Sequence, residues 1–126
     1  MPYRLVLEQH PGYLRATVTG EHNAANALRF LTEAIAACAE SGEANLLLEF
    51  NLDGPSLDST TIYSVTAKPA QWAAKLRRIA YVDTSSRDPA KMRFAETVAQ
   101  NRGVNVRLFR DLEAGQRWLA EGTEKP

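Results

Sequence analysis

Cysteine occurs once in the 126 residues, so no disulfide can form within the chain and the fold has no covalent staple to lean on. Cys38 falls among alanines and Ile35 at helical spacing, the setting of a small core residue rather than of a reactive thiol. No apolar run approaches the roughly 20 residues needed to cross a bilayer. The N-terminus also lacks the basic-then-apolar order of a secretory signal, so a cytoplasmic protein without a transmembrane segment is expected. The formal net charge is zero, which argues against a protein built for general nucleic-acid binding. The seven glycines are scattered, without GxGxxG or GxxxxGK, and no cofactor is expected. Neither His10 nor His22 has a second ligand at coordinating spacing, so they read as exposed polar side chains and no metal site is expected. No serine sits in a Gly-x-Ser-x-Gly elbow. No catalytic set remains, and the reading is that of a protein that is not an enzyme, with an enzyme of unknown type as the third alternative.

What is present is the balance of a globular domain, with 44% apolar and 24% charged residues. The length suits one domain, read as residues 1–121 followed by a polar, frayed tail over 122–126. Tyr3 to Gln9 alternates apolar and polar residues, His10-Pro11-Gly12 has turn chemistry, and Tyr13 to Thr19 continues in strand-like residues, so the chain opens with a β-hairpin. From Asn23, a good N-cap, apolar residues recur at helical spacing until Gly42 supplies a left-handed stop. Leu46, Leu47, Leu48 and Phe50 form the nearly unbroken apolar run of a central strand covered on both faces. A second helical stripe holds Ile62, Val65, Trp72 and Leu76, with Pro69 inside it, which predicts a kink or break near Lys68. Arg78 to Asp83 reads as a strand, Asp88-Pro89 starts a third helix that stops at Gly103, and Val104, Val106 and Leu108 make a last strand. Asp111 caps a final helix carrying Ala114, Trp118, Leu112 and Leu119. The order ββαβαβαβα predicts an α/β fold: a mixed, mostly parallel five-stranded sheet whose antiparallel N-terminal strand lies at an edge.

Charge is unevenly spread. Lys68, Lys75, Arg77, Arg78, Arg87, Lys91 and Arg93 crowd one stretch against only Asp83 and Asp88, which is either a basic face for an acidic partner or ordinary solvated helix surface. Trp72 and Trp118 either line an apolar pocket or fill the core. Tyr63 and Trp72, partly exposed on the second helix, are compatible with a homodimer.

The stretch LDSTTI, Leu57 to Ile62, gathers a carboxylate and three hydroxyls where a buried strand has ended and a helix begins. The crevice beyond the carboxyl ends of parallel strands is the usual binding place in open α/β sheets, and helix N-termini stabilise phosphate. Asp58 or Ser59 is equally what a helix N-cap needs, with Thr60 and Thr61 as first-turn residues. Asp53 follows the third strand as in a receiver domain, yet such a domain needs an acidic pair after the first strand and a lysine after the last. Those places read LEQH and LFRD.

In order and spacing, VTGEHNAANA, NLLLEF, LDSTT and RGVNVRLFRDLEAGQRWL together resemble the STAS domains, and within them the SpoIIAA-like branch that shares a fold with lipid-binding SEC14 proteins. The resemblance covers nearly the whole chain. It implies a non-catalytic regulatory module resembling an anti-sigma-factor antagonist, which engages a kinase-like or regulatory protein partner and is switched by phosphorylation. By position the loop aspartate is Asp58, the first hydroxyl Ser59 and the phosphoacceptor Thr60, with Ser59 as the other candidate. Asp53, Asp58, Thr61 and Ile62 would belong to the interaction loop. The family's glycine is replaced by Thr61, which restricts backbone freedom and close approach. The SEC14 likeness implies the alternative of a lipid or small apolar ligand held between the second helix and the sheet in a roomy cavity.

Overall fold

The computed structural model of the chain describes residues 3–21, 23–53, 58–83 and 89–124, and the side chains of residues 52, 53, 59, 89 and 122–124 lie outside the described set. Its elements follow the expected order: β1 (Tyr3–His10), β2 (Tyr13–Glu21), α1 (Ala24–Ser41), β3 (Asn45–Asp53), α2 (Ser59–Ala73), β4 (Arg78–Asp83), α3 (Pro89–Asn101), β5 (Val106–Phe109) and α4 (Leu112–Glu124). The strands lie in chain order, β1-β2-β3-β4-β5. β1 runs antiparallel to β2, and every later pairing is parallel.

Local chemistry sets the boundaries. The Asn23 side chain accepts a hydrogen bond from the Asn26 N–H at 2.9 Å, capping α1. Gly42, at φ 75°, ends it in the left-handed conformation, and the Glu43 N–H returns to the Cys38 carbonyl at 3.0 Å. Asp111 caps α4 by accepting from the Ala114 N–H at 2.8 Å. α4 keeps its helical backbone to Glu124, past the Gly122 where a tail is expected to open. Of the kink or break expected near Lys68, the break does not occur. α2 continues through Pro69 to Ala73, because Pro69, Ala70 and Ala73 are all buried and this packing outweighs the one backbone bond that proline removes.

Residue alternation along the strands divides the core in two. Leu46, Leu48 and Phe50 of β3 join Ala16 and Val18 of β2 and Ile79 of β4 in a cluster with Phe30, Ala34 and Cys38 of α1 and Val65 and Ala70 of α2. Leu47, Ala80 and Val82 point the other way, onto Trp118 and Leu119 of α4. Helices α1, α2 and α3 thus share one face, as crossovers of one hand require when strands follow chain order. Among the described helices α4 alone packs on the other face, against β3, β4 and β5.

Trp118 anchors that second layer. Arg78 donates to its carbonyl at 2.5 Å, and the guanidinium groups of Arg78 and Arg107 lie 4.9 and 5.2 Å from the centre of its ring. Gly115 permits the close approach. A Cβ there would stand 3.0 Å from Val82 Cγ2 and 3.4 Å from Ala80 Cβ. Gly115→Val is therefore expected to lower the unfolding free energy by about 1–3 kcal/mol, measured by urea denaturation. An unchanged midpoint would contradict contact packing of α4 on β4.

Candidate functional site

The parallel strands deliver their carboxyl ends to one side of the sheet, where acidic residues collect. Register places Glu21 beside Asp53 and Phe50 beside Asp83, and Asp83 is only 7% exposed. The α2 N-terminus rises from this rim. Asp58, with extended backbone, accepts the Thr61 N–H on its Oδ1 at 2.8 Å, while its carbonyl accepts the Ile62 N–H at 2.9 Å. The Thr61 backbone N–H and then the Thr61 hydroxyl hold the Asp58 carboxyl below the usual carboxylate range, with a smaller contribution from Lys91 across on α3. Thr61, standing where the family pattern has glycine, therefore doubles the cap.

The sequence candidates separate by exposure. Asp58 and Thr60 are exposed and Thr61 is half-buried. Ile62 is 3% exposed and lines the apolar interior, so it supports the loop from beneath and is removed from the surface offered to a partner. Asp53 ends β3 and Ser59 begins α2, but the side chains of both lie outside the described residues. The Ser64 hydroxyl donates to the Thr60 carbonyl at 3.2 Å, tying the first turn to the second.

Lys91 is the contributor that the reading of LDSTTI missed. Its signal was in the chain, because α3 begins at Pro89 soon after the end of β4, next to β3. Within the basic stretch Arg78 donates to the Trp118 carbonyl of α4, whereas Lys68, Lys75, Arg77 and Arg93 are exposed and Lys91 is half-buried; Arg87 lies outside the described residues. Tyr63 and Trp72 are exposed, with the Arg102 guanidinium over the Tyr63 ring and donating to its hydroxyl. Trp118 is core. Cys38 is fully buried, and burial, with a smaller effect of Glu43, pushes its thiol up to about 12. His10 is half-buried, stacked on Tyr13 at 5.0 Å, because the hairpin closes tightly around Gly12 at φ 87°. His22 lies outside the described residues. Among the described residues no three His, Cys, Asp or Glu side chains cluster as a metal site, and no helix is long and apolar enough to cross a membrane.

Between α2, α3 and the sheet lies an apolar cavity of about 100 Å³, lined among others by Phe30, Ile62, Pro69, Tyr81 and Met92. A cavity of about 150 Å³ takes benzene, so this one is too small for an acyl chain. The space between α2 and the sheet is therefore not the roomy chamber expected of a lipid binder, whereas a larger groove of about 590 Å³ lies between α1 and the end of α2, lined among others by Ile35, Cys38, Trp72 and Leu76.

No family model and no curated protein matches the chain. Solved structures do. An anti-sigma factor antagonist from Mycobacterium paratuberculosis is 18% identical, with 94% of each chain covered and a TM-score of 0.54. An uncharacterised protein with a SpoIIAA-like fold from Shewanella loihica PV-4 is 17% identical, again over 94% of each chain, with a TM-score of 0.57. The chain has the SpoIIAA-like fold.

The lowered carboxyl of Asp58 has a signed consequence. Its cap stabilises above the ordinary aspartate pKa and is lost as pH falls through the lower folded value. Asp58→Ala is expected to lower the melting temperature at neutral pH and to converge on the wild type in acid. Circular dichroism melts across pH test this, and a pH-independent difference would contradict the cap.

Proposed function

We propose that the chain is a non-catalytic regulatory protein-interaction module of the cytoplasm, whose partner docks on the carboxyl-end rim around the α2 N-terminus and whose docking is switched by phosphorylation at Thr60. The observation that carries this reading is the exposed Thr60 in the first turn of α2, beside the Asp58 cap. The shared fold with an anti-sigma factor antagonist supports a regulatory role.

The chemistry of such a switch follows from the cap. A phosphoryl group on Thr60 brings about −1.5 to −2 charge at neutral pH and three strong acceptors. The first turn of α2 carries no acidic residue of its own, so its positive end is open to that charge. Asp58 already holds the Thr61 N–H, so the phosphate and the carboxylate repel each other and compete for the same donors. Modification therefore rearranges the rim that a partner reads. Thr61 completes the Asp58 cap while leaving the Thr60 side chain on the surface, so the residue in place of glycine is compatible with the switch.

Incubation of the wild type with ATP and lysate of the source organism, followed by mass spectrometry, is expected to map phosphate to Thr60, and Thr60→Ala should abolish it without loss of fold. In parallel pull-downs, Thr60→Glu should lose or exchange a regulatory protein that the wild type retains. A phosphate mapped elsewhere, or identical proteins on both baits, overturns the switch.

A further inference from the structure

Among the described residues β1 is the outermost strand of the sheet and pairs only with β2. Alternate N–H and C=O groups along an edge strand point away from the sheet and offer a template to another strand. Edges are commonly blunted by shortness, proline or a bulge. β1 has eight residues without proline, and all of them keep an unbroken register with β2.

Two of the large exposed hydrophobic side chains lie here, Val6 at 40% and Leu7 at 44% exposure. As neighbours on a strand they project from opposite faces of the sheet. A helix laid on one face would shield only one of them. A strand added to the edge shields both.

The sequence of β1, YRLVLEQH, says which strand fits. About Val6 it is symmetric in chemical type: Leu5 mirrors Leu7, and Arg4 mirrors Glu8 with the opposite charge. An antiparallel copy centred on Val6 sets Val6 against Val6, Leu5 against Leu7 and Arg4 against Glu8, each of the last two twice. The charges continue a pattern already present within the sheet. Arg15 donates to Glu49 of β3 at 2.5 Å, and Arg15 stands opposite Glu8 in the β1–β2 register. Signs thus alternate from β3 through β2 to β1 on one face. Exposed Arg4 stands opposite Thr19, which brings it no charge on β2. Arg4 of a second copy would add the next rung at Glu8, and the two-fold axis repeats it.

We propose that the chain forms a two-fold dimer by antiparallel pairing of β1 with β1 of a second copy, centred on Val6, which joins the two sheets into one. The contact lies on a different element from Tyr63 and Trp72 of α2.

Sedimentation equilibrium over micromolar concentrations is expected to give twice the chain mass for the wild type. Arg4→Glu sets carboxylate against carboxylate across the axis and Glu8→Arg sets cation against cation. Each should raise the dimer Kd about tenfold or more. An equimolar mixture of the two variants should regain the dimer, because every introduced charge then meets its opposite. Circular dichroism confirms that each variant is folded. Should Glu8→Arg fail to fold beside Arg15, Val6→Lys, which places two ammonium groups at the axis, must dissociate the dimer instead. A wild type of single-chain mass, a dimer indifferent to Arg4→Glu, or a mixture of folded variants that stays monomeric overturns the proposal.

Discussion

The crossover geometry of the parallel strands is the constraint on which the other features depend. With β2, β3, β4 and β5 in chain order, connections of one hand must set α1, α2 and α3 on the same face. The opposite face is then left to whatever follows β5, and α4 fills it. Leu47, Ala80 and Val82 would otherwise face water, so their burial depends on a single helix held by Trp118, Gly115 and the paired guanidinium groups. The same geometry brings the starts of α2 and α3 together at the carboxyl rim, where Lys91 acts on Asp58.

Elements with a local cause were legible in the residues. Asn23, Gly42 and Asp111 each specify a helix end through one backbone interaction, and the alternation of β1 with the apolar run of β3 shows which strand is an edge and which is central. What escaped depends on contacts between distant segments. Pro69 signals a break to any local reading, yet burial on the sheet carries α2 through it. Ile62 reads both on the apolar stripe of the second helix and in the loop beside Thr61, and the roughly 100° turn per helical residue decides for the stripe, sending it into the core. Arg78 reads as one of a basic cluster until strand alternation turns it toward α4.

The LDSTT stretch shows how architecture and use can coincide. Asp58 and Thr61 satisfy the opening of α2, which is the structural account, and Thr60 is left exposed by that arrangement. A helix start capped by a carboxylate is also a place where added negative charge must be accommodated or repelled. Sequence could identify the residue types and their order. That the Thr61 hydroxyl also turns onto Asp58, where the family pattern would have no side chain, needed the geometry.

Chain-ordered strands have a kinetic consequence. Each strand pairs with the one before it, yet only the β1–β2 hairpin closes a local loop; each later, parallel pairing must enclose a whole helix, as where Leu14 meets Leu46, and pairings of this kind are slower to form. During synthesis the hairpin forms first, and each new strand with its helix docks on an edge already built. Growth proceeds from β2 toward β5, and among the described residues no later strand of the chain is added beyond β1.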